Sequence, residues 1–211
     1  SIDAADRLVT LQPLAVRDVP KRQRAKVRTI FQSVERASVK RAGHVREEFV
    51  VAVIGHLRTV KDPFRAALAA RRLPEASRIA IAHAGSALTP AMARRARAEM
   101  KRNPRYHWLG ALKPSRARAL LGFSHAFVLS SRSEGGANAL GEAMVAGVPV
   151  LASRIAGSIG LLGRGYPGYF APGDTAALTR LLLRVETDRA KLFTEQRESA
   201  AWRALLRGLK P

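Results

Sequence analysis

The residues best suited to chemistry lie in one string, Ser130-Ser131-Arg132-Ser133-Glu134-Gly135-Gly136-Ala137-Asn138-Ala139-Leu140-Gly141-Glu142-Ala143-Met144. Gly135 and Gly136 have no side chains, so backbone N–H groups there can approach a ligand closely. A helix starting just beyond them presents unpaired N–H donors and the positive end of its dipole, a combination that suits an anion. Glu142 lies four residues beyond Asn138 and shares its helical face, while Glu134 precedes the helix. Two carboxylates can therefore flank a polyhydroxyl ligand, one accepting hydrogen bonds from a ribose and the other from a hexose, with a diphosphate between them. The plainer alternative is a glycine-bearing turn with two solvated glutamates.

A second string, Gly55-His56-Leu57-Arg58-Thr59-Val60-Lys61, also follows an apolar run. A diphosphate leaving group gains negative charge as its glycosidic bond breaks, and Arg58 and Lys61 are suited to stabilise that charge. His56 would either polarise a phosphate oxygen or hydrogen-bond the loop. On their own, an arginine and a lysine in a loop are solvated charges; the glutamate pair elsewhere is what makes them interesting. The histidines show no metal-ligand spacing and the chain has no Asp-x-Asp pair, so neither a metal nor another cofactor is expected.

Positioning these loops requires regular elements, and the sequence alternates them. Arg7 to Gln12 reads as a strand, Pro13 to Arg24 as a linker and Ala25 to Val34 as a second strand, followed by a polar stretch to Glu48. Phe49 to Ile54 has strand composition, and Asp62-Pro63 reads as the cap and first-turn proline of a helix over Phe64 to Leu73. Strands are expected at Arg78 to His83, Tyr106 to Leu109, His125 to Leu129 and Val148 to Ala152. Helices are expected from Thr89-Pro90 to Lys101, over Ser115 to Leu121, and from Ala137 to Ala146 with Gly147 as C-cap. A glycine-rich loop, Gly157 to Gly168, a weak strand near Tyr169 and two terminal helices complete the chain. Such alternation predicts an α/β fold, a parallel sheet with helices on both faces and ligands at the carboxyl ends of the strands.

Composition limits the function. With 211 residues, 47% of them hydrophobic, the chain can bury about 70% of its unfolded surface, which excludes global disorder. No long apolar run or secretory layout appears, so the reading is a soluble, cytoplasmic protein without a membrane span. The absence of cysteine removes thiol nucleophiles, thiolate zinc sites and disulfides. A formal charge of +21, densest over Lys21 to Arg46, would attract nucleic acid, anionic membrane or phosphorylated small molecules. Most of the basic residues are arginines beside alanine and leucine on expected helices, which is also how solvated faces look. A basic nucleic-acid-binding module is the principal competing class. Few aromatics for base stacking and no recognised reader motif argue against it.

The complete string Glu-Gly-Gly-Ala-Asn-x3-Glu-Ala-Met-x-Ala-Gly-Val-Pro-Val-Leu-Ala resembles the signature of the retaining family 4 glycosyltransferases, whose paired glutamates are separated by seven residues, as Glu134 and Glu142 are. The resemblance covers Phe49 to Leu206. It implies the Rossmann-like C-terminal domain of a GT-B enzyme over residues 25–211, preceded at 1–24 by the end of an N-terminal domain and the interdomain linker. It also implies that Glu134 faces a donor sugar, Glu142 a nucleotide ribose, and the N–H groups of Gly136, Ala137 and Asn138, beside Gly135, the diphosphate and sugar. Lys61 matches the family's lysine six residues after Gly55. His56 stands where the family has arginine, and Arg58 is displaced by two. Tyr106 to Leu112 resembles the segment whose backbone lies against the base, which adds Leu109 and Gly110 to the donor-binding set; Trp108 reads as core rather than a stacking platform. Gly157-Ser158 would close over the phosphates, although the family's later glutamate is absent.

Within the family, Val-Ile-Gly-His-Leu-Arg-x-Val-Lys-Asp-Pro-Phe-Arg-Ala-Ala, Arg-Asn-Pro-Arg-Tyr-x-Trp-Leu-Gly, Ser-Ser-Arg-x-Glu-Gly-Gly-Ala-Asn and Tyr-Pro-Gly-Tyr-Phe are most similar to selenosugar synthases of selenoneine biosynthesis. That resemblance implies a UDP-sugar donor, selenophosphate as acceptor and release of UDP. It further implies that a facing N-terminal domain, which supplies most of the acceptor side, is missing here, so this piece alone would bind donor weakly and turn over little. Two other readings keep the architecture: a non-catalytic nucleotide-sugar-binding subunit and a sugar-nucleotide epimerase.

Overall fold

A computed structural model describes residues 2–34 and 48–198. The polar stretch before Glu48 and part of the basic run Lys21 to Arg46 lie outside these residues, as does the end of the chain. In order, the elements are β1 (Leu8–Thr10), β2 (Val27–Thr29), β3 (Phe49–Ile54), α1 (Arg65–Ala70), β4 (Ile79–Ala84), α2 (Pro90–Arg102), β5 (Tyr106–Gly110), α3 (Pro114–Phe123), β6 (Ala126–Leu129), α4 (Asn138–Val145), β7 (Val150–Ser153), α5 (Ala156–Leu162), β8 (Tyr169–Phe170), α6 (Thr175–Thr187) and α7 (Arg189–Glu198).

Six strands form one sheet in the order β5-β4-β3-β6-β7-β8, and every pair is parallel. Parallel strands covered on both faces must be apolar on both faces, and β3 (FVVAVI), β6 (AFVL) and β7 (VLAS) are almost wholly buried. Side chains alternate across the sheet, so Val51, Val53 and Val128 enter one core with α1, α6 and Ala96 of α2. Ala52, Phe127 and Leu129 enter the other with Leu121, Leu140 and Met144 of α3 and α4. The chain winds outward from β3 to β4 and β5, then returns to β6 on the other side of β3. This reversal opens a crevice between the carboxyl ends of β3 and β6.

The helix ends follow their residues. Thr89 Oγ1 accepts the Met92 N–H at 3.2 Å, and Asp174 Oδ1 accepts that of Ala177 at 2.8 Å. Gly147, at φ 67°, closes α4: its N–H donates to Met144 O at 3.1 Å, and the Val148 N–H donates to Ala143 O at 3.0 Å.

Three expectations need correction. The glycine-rich loop from Gly157 begins instead as helix α5, because its glycines serve close packing rather than turning. A Cβ on Gly157 would meet Glu134 O at 2.4 Å, and one on Gly160 would meet Gln12 Oε1 at 2.0 Å. The strand expected over Ala25 to Val34 shrinks to Val27–Thr29, because Lys21–Lys26 forms a 3-10 helix after Pro20. The linker also contains a 3-10 helix, Pro13–Asp18, whose first turn is capped by Gln12 Oε1 accepting from Leu14 N at 2.7 Å. β2 pairs in parallel with β1, Leu8 opposite Val27, in a separate two-stranded sheet.

One buried carboxylate ties α2 to its neighbours. Glu99 is 1% exposed and accepts from Arg71 Nε at 2.8 Å, from Arg102 Nη2 at 2.9 Å and from Asn103 Nδ2 at 3.1 Å. Burial alone would raise its pKa, but the hydrogen bonds from Arg71, Asn103 and Arg102 outweigh it and hold the group below its ordinary value. Glu99→Ala would leave these donors without their acceptor. It is expected to lower the unfolding free energy by about 3 kcal/mol in urea titrations at neutral pH.

Candidate functional site

The crevice brings the two motif loops together. The loop after β6 is stitched to the loop after β3: Arg132 N–H donates to Val60 O at 2.8 Å, and Ser130 Oγ donates to the carbonyls of Lys61 at 3.2 Å and Asp62 at 3.0 Å. Lys61 Nζ pairs with Glu134 Oε1, and that oxygen also accepts from Ser131 Oγ at 2.6 Å. The lysine and glutamate side chains are 22% and 9% exposed, so water screens this pair weakly. Ser131 is held in turn by Ser153 Oγ, which donates to its carbonyl at 2.5 Å.

Asp62 follows Lys61 in a left-handed conformation, φ 44°, the one non-glycine residue with positive φ among the described residues. It ends the 3-10 turn Thr59–Lys61 rather than capping α1, whose N-cap is Phe64. Its carboxylate accepts from Arg65 Nε at 2.9 Å, and Arg65 Nη1 donates to Thr175 Oγ1 at 2.6 Å, anchoring the turn to α6.

Beside the crevice lies a cleft of about 300 Å³ lined by residues that include Gly55, His56, Arg58, Lys61, Gly85 and Leu112. Its charged lining is entirely basic, and Arg58 is exposed with no ion-pair partner among the described residues. His56 Nδ1 accepts the Ser86 N–H at 3.1 Å. A neutral imidazole that accepts at Nδ1 carries its proton on Nε2, so His56 keeps one N–H donor. Of the two roles anticipated for His56, loop hydrogen bonding is present in the structure.

The remaining expected residues fall elsewhere. Gly136, Ala137 and Asn138 line a smaller pocket of about 30 Å³ with Leu11, Phe31 and Gln32. A Cβ on Gly136 would meet Leu11 Cβ at 2.7 Å, so this glycine accommodates the N-terminal segment. Gly135 is exposed in the loop, and Glu142 is half-buried on α4, one turn beyond Asn138. Leu109 is 44% exposed at the end of β5, while Gly110 O accepts the Gly85 N–H at 2.7 Å. Trp108 is half-buried against the main core and donates from Nε1 to Gly85 O at 2.8 Å. Gly157 and Ser158 are buried, Gly157 behind the Glu134 backbone, instead of closing over the cleft. Ser158 Oγ is buried with no hydrogen-bond partner among the described residues. Among those residues, no three His, Asp or Glu side chains are grouped as metal ligands, and no helix is long and apolar enough to cross a membrane.

Sequence reasoning missed His83 and Gly85. His83, the penultimate residue of β4, is 1% exposed, with Nδ1 3.0 Å from Tyr106 OH and Nε2 3.1 Å from Gly55 O. A carbonyl can only accept, so Nε2 carries the proton and the Tyr106 hydroxyl donates to Nδ1. Gly85 permits the adjoining contact, since a Cβ there would stand 1.9 Å from Gly55 O. A histidine within an otherwise apolar strand, two residues before Gly85, was the available signal.

Burial pushes the His83 pKa from 6.5 to about 4, against the opposing effect of its bond to Gly55. Unfolded chains take up this proton near pH 6.5 and the folded protein only near 4, so the stability from neutral His83 is full above pH 6.5 and is lost as pH falls through that window. The fall in unfolding free energy between pH 7 and 4.5 is expected to be about 2.5 kcal/mol smaller in His83→Leu than in the wild type, measured by urea denaturation.

Residues 34–203 match the family described as "Glycosyl transferases group 1". No curated protein sequence matches the chain. Among solved structures, HepE of Anabaena in complex with UDP-glucose superposes with a TM-score of 0.79 at 18% identity, over 96% of this chain and 59% of that one. The sucrose-phosphate synthase of Thermosynechococcus elongatus gives 0.74 at 20% identity, covering 97% and 55%. The pneumococcal O-GlcNAc transferase GtfA, in complex with UDP and GlcNAc, gives 0.68 at 18%, covering 98% and 44%. The chain therefore spans about half the length of these proteins, and at such identities the likeness is one of fold. The six-stranded parallel sheet, its helices on both faces and the match over most of the sequence establish that the chain belongs to the group 1 glycosyl transferases and has the Rossmann-like architecture of a GT-B domain.

Proposed function

We propose that this chain is the donor-binding domain of a glycosyltransferase that holds a UDP-sugar and transfers its sugar to selenophosphate, forming a carbon–selenium bond and releasing UDP. The observation that carries the donor reading is the Lys61–Glu134 pair at the reversal of the sheet, beside a cleft whose charged lining is wholly basic. HepE and GtfA, similar in fold, were each crystallised with UDP. The selenophosphate part rests on the sequence resemblance and on the basic cleft, which suits an anionic acceptor. The donor-binding and catalytic roles of individual residues belong to the same proposal.

In this reading the selenium of selenophosphate attacks the anomeric carbon, and the electron pair of the breaking carbon–oxygen bond passes to the β-phosphate of UDP. Arg58 and Lys61 neutralise the charge that grows there. Glu134 accepts from hydroxyls of the sugar, and Glu142 from those of the ribose. The N–H groups at the start of α4, Gly136 to Asn138, meet the diphosphate once the N-terminal segment leaves room. Gly110 and Leu109, at the end of β5, border the base. The solved relatives are longer than this chain, and a second domain facing the cleft would exclude water and position the acceptor.

Titration calorimetry with UDP tests the donor site. Wild-type protein binds UDP, and Lys61→Ala weakens binding about tenfold, equivalent to about 1.4 kcal/mol. Glu134→Ala releases Lys61 from its partner, so UDP binds as well or better, while the additional affinity for a UDP-sugar over UDP is lost. Steeply salt-dependent binding to nucleic acid with no response to UDP would overturn the reading. Supplied with a UDP-sugar and selenophosphate, the chain alone is expected to release little UDP. Mass spectrometry of the product formed from a UDP-sugar and selenophosphate is expected to show a selenium-linked sugar, and an oxygen-linked product would refute the acceptor assignment.

A further inference from the structure

The buried His83–Tyr106 pair has a geometry that reaches into the cleft, although neither side chain touches it. Tyr106 OH donates to His83 Nδ1 at 3.0 Å, and His83 Nε2 donates to Gly55 O at 3.1 Å. Both residues are 1% exposed, and Tyr106 also packs edge-on against Phe64, with ring centroids 6.4 Å apart. The Gly55–His56 peptide is trans, as are all the described peptide bonds. Its C=O and N–H therefore point in opposite directions. With the carbonyl drawn inward by His83, the His56 N–H turns outward, and it has no protein acceptor among the described residues. Gly55 and His56 both line the cleft. The loop cannot readily rotate this peptide, because Gly55 N–H is bound to Ala84 O at 2.9 Å, Leu57 N–H to Ser86 O at 2.8 Å, and Ser86 N–H to His56 Nδ1 at 3.1 Å.

We infer that His83 and Tyr106 are positioning residues that fix the Gly55–His56 peptide so that its N–H is offered to the diphosphate of a nucleotide in the cleft. The inference rests on the donor-site reading given above. A preoriented amide dipole supplies a donor without reorganisation, which a mobile side chain cannot do.

Calorimetric or NMR titrations with UDP and with uridine separate positioning from general structural support. His83→Leu is expected to weaken UDP binding about tenfold and leave uridine binding within about twofold, since uridine has no diphosphate to meet the peptide. His83→Gln retains an N–H near the position of Nε2 and is expected to restore most of the UDP affinity. Tyr106→Phe removes the hydroxyl that fixes the tautomer and is expected to cost about threefold with UDP alone. If His83→Leu does not fold, the Tyr106→Phe comparison carries the same test. Unchanged UDP binding in the variants, or equal losses for UDP and uridine, would overturn the inference while leaving the donor site standing. Wild-type protein that ignores UDP would remove the donor site and the inference with it.

Discussion

An ammonium and a carboxylate from loops far apart in sequence meet where the sheet reverses direction. Lys61 follows β3 and Glu134 follows β6, and these strands are neighbours only because the chain returns to the middle of the sheet after completing β5. Bringing the two charges out of water carries a desolvation cost that must be met by their attraction and by the Ser131 hydroxyl bonded to the same oxygen. The loops are also joined through Ser130 and Arg132, so the pairing is not left to two flexible side chains. A diphosphate and Glu134 would compete for the same ammonium. In the proposed donor site, binding would then be an exchange of anions at Lys61 rather than the filling of a preformed charge hole.

The fold was largely legible because each central strand is a short apolar run bounded by turn residues. Periodicity located β3, β4, β6 and the capped helices α2 and α4. Glycine was the less dependable guide. Gly147 was recognised as a helix terminator and is one, whereas Gly157 and Gly160 read as loop residues and lie within α5. A glycine that turns the chain and a glycine that admits a neighbouring backbone look alike in sequence. The difference rests on Glu134 and Gln12, which approach from distant positions. The same limitation concealed His83, whose importance comes from the Gly55 carbonyl across the sheet and not from any local motif. Lys61 and Glu134 were each singled out from their own loops, but their direct contact depends on strand order, which no local pattern encodes.

The charge imbalance also has a structural side. The acidic residues of the described chain are largely engaged in holding elements together. Glu99 joins α2 to Arg71, Asp62 anchors a turn through Arg65, Asp174 caps α6, and Glu186 receives the Ser77 hydroxyl and the Arg78 N–H. Some arginines are likewise occupied: Arg105 reaches backbone carbonyls of the loop before β4, and Arg95 lies 4.3 Å above the Phe64 ring. With these acids engaged, many of the described arginines, Arg58 among them, are exposed cations without an ion-pair partner among the described residues. Such a field draws phosphorylated molecules toward the whole molecule without specifying where they stop. In the proposed donor site that selection would fall to the crevice.

Gly85 sits where three loops cross at backbone contact distance, receiving the Trp108 indole on its carbonyl, giving its N–H to Gly110 and facing the Gly55 carbonyl. The atoms an added Cβ would meet, Gly55 O and C and His56 N, are main-chain atoms, which cannot retreat by changing rotamer. Natural variation in this protein should therefore accumulate readily on the arginine-rich helices and halt at this position. A single methyl group there would push apart the ends of β3 and β4, making buried Gly85 a point of genetic rigidity beside permissive helices.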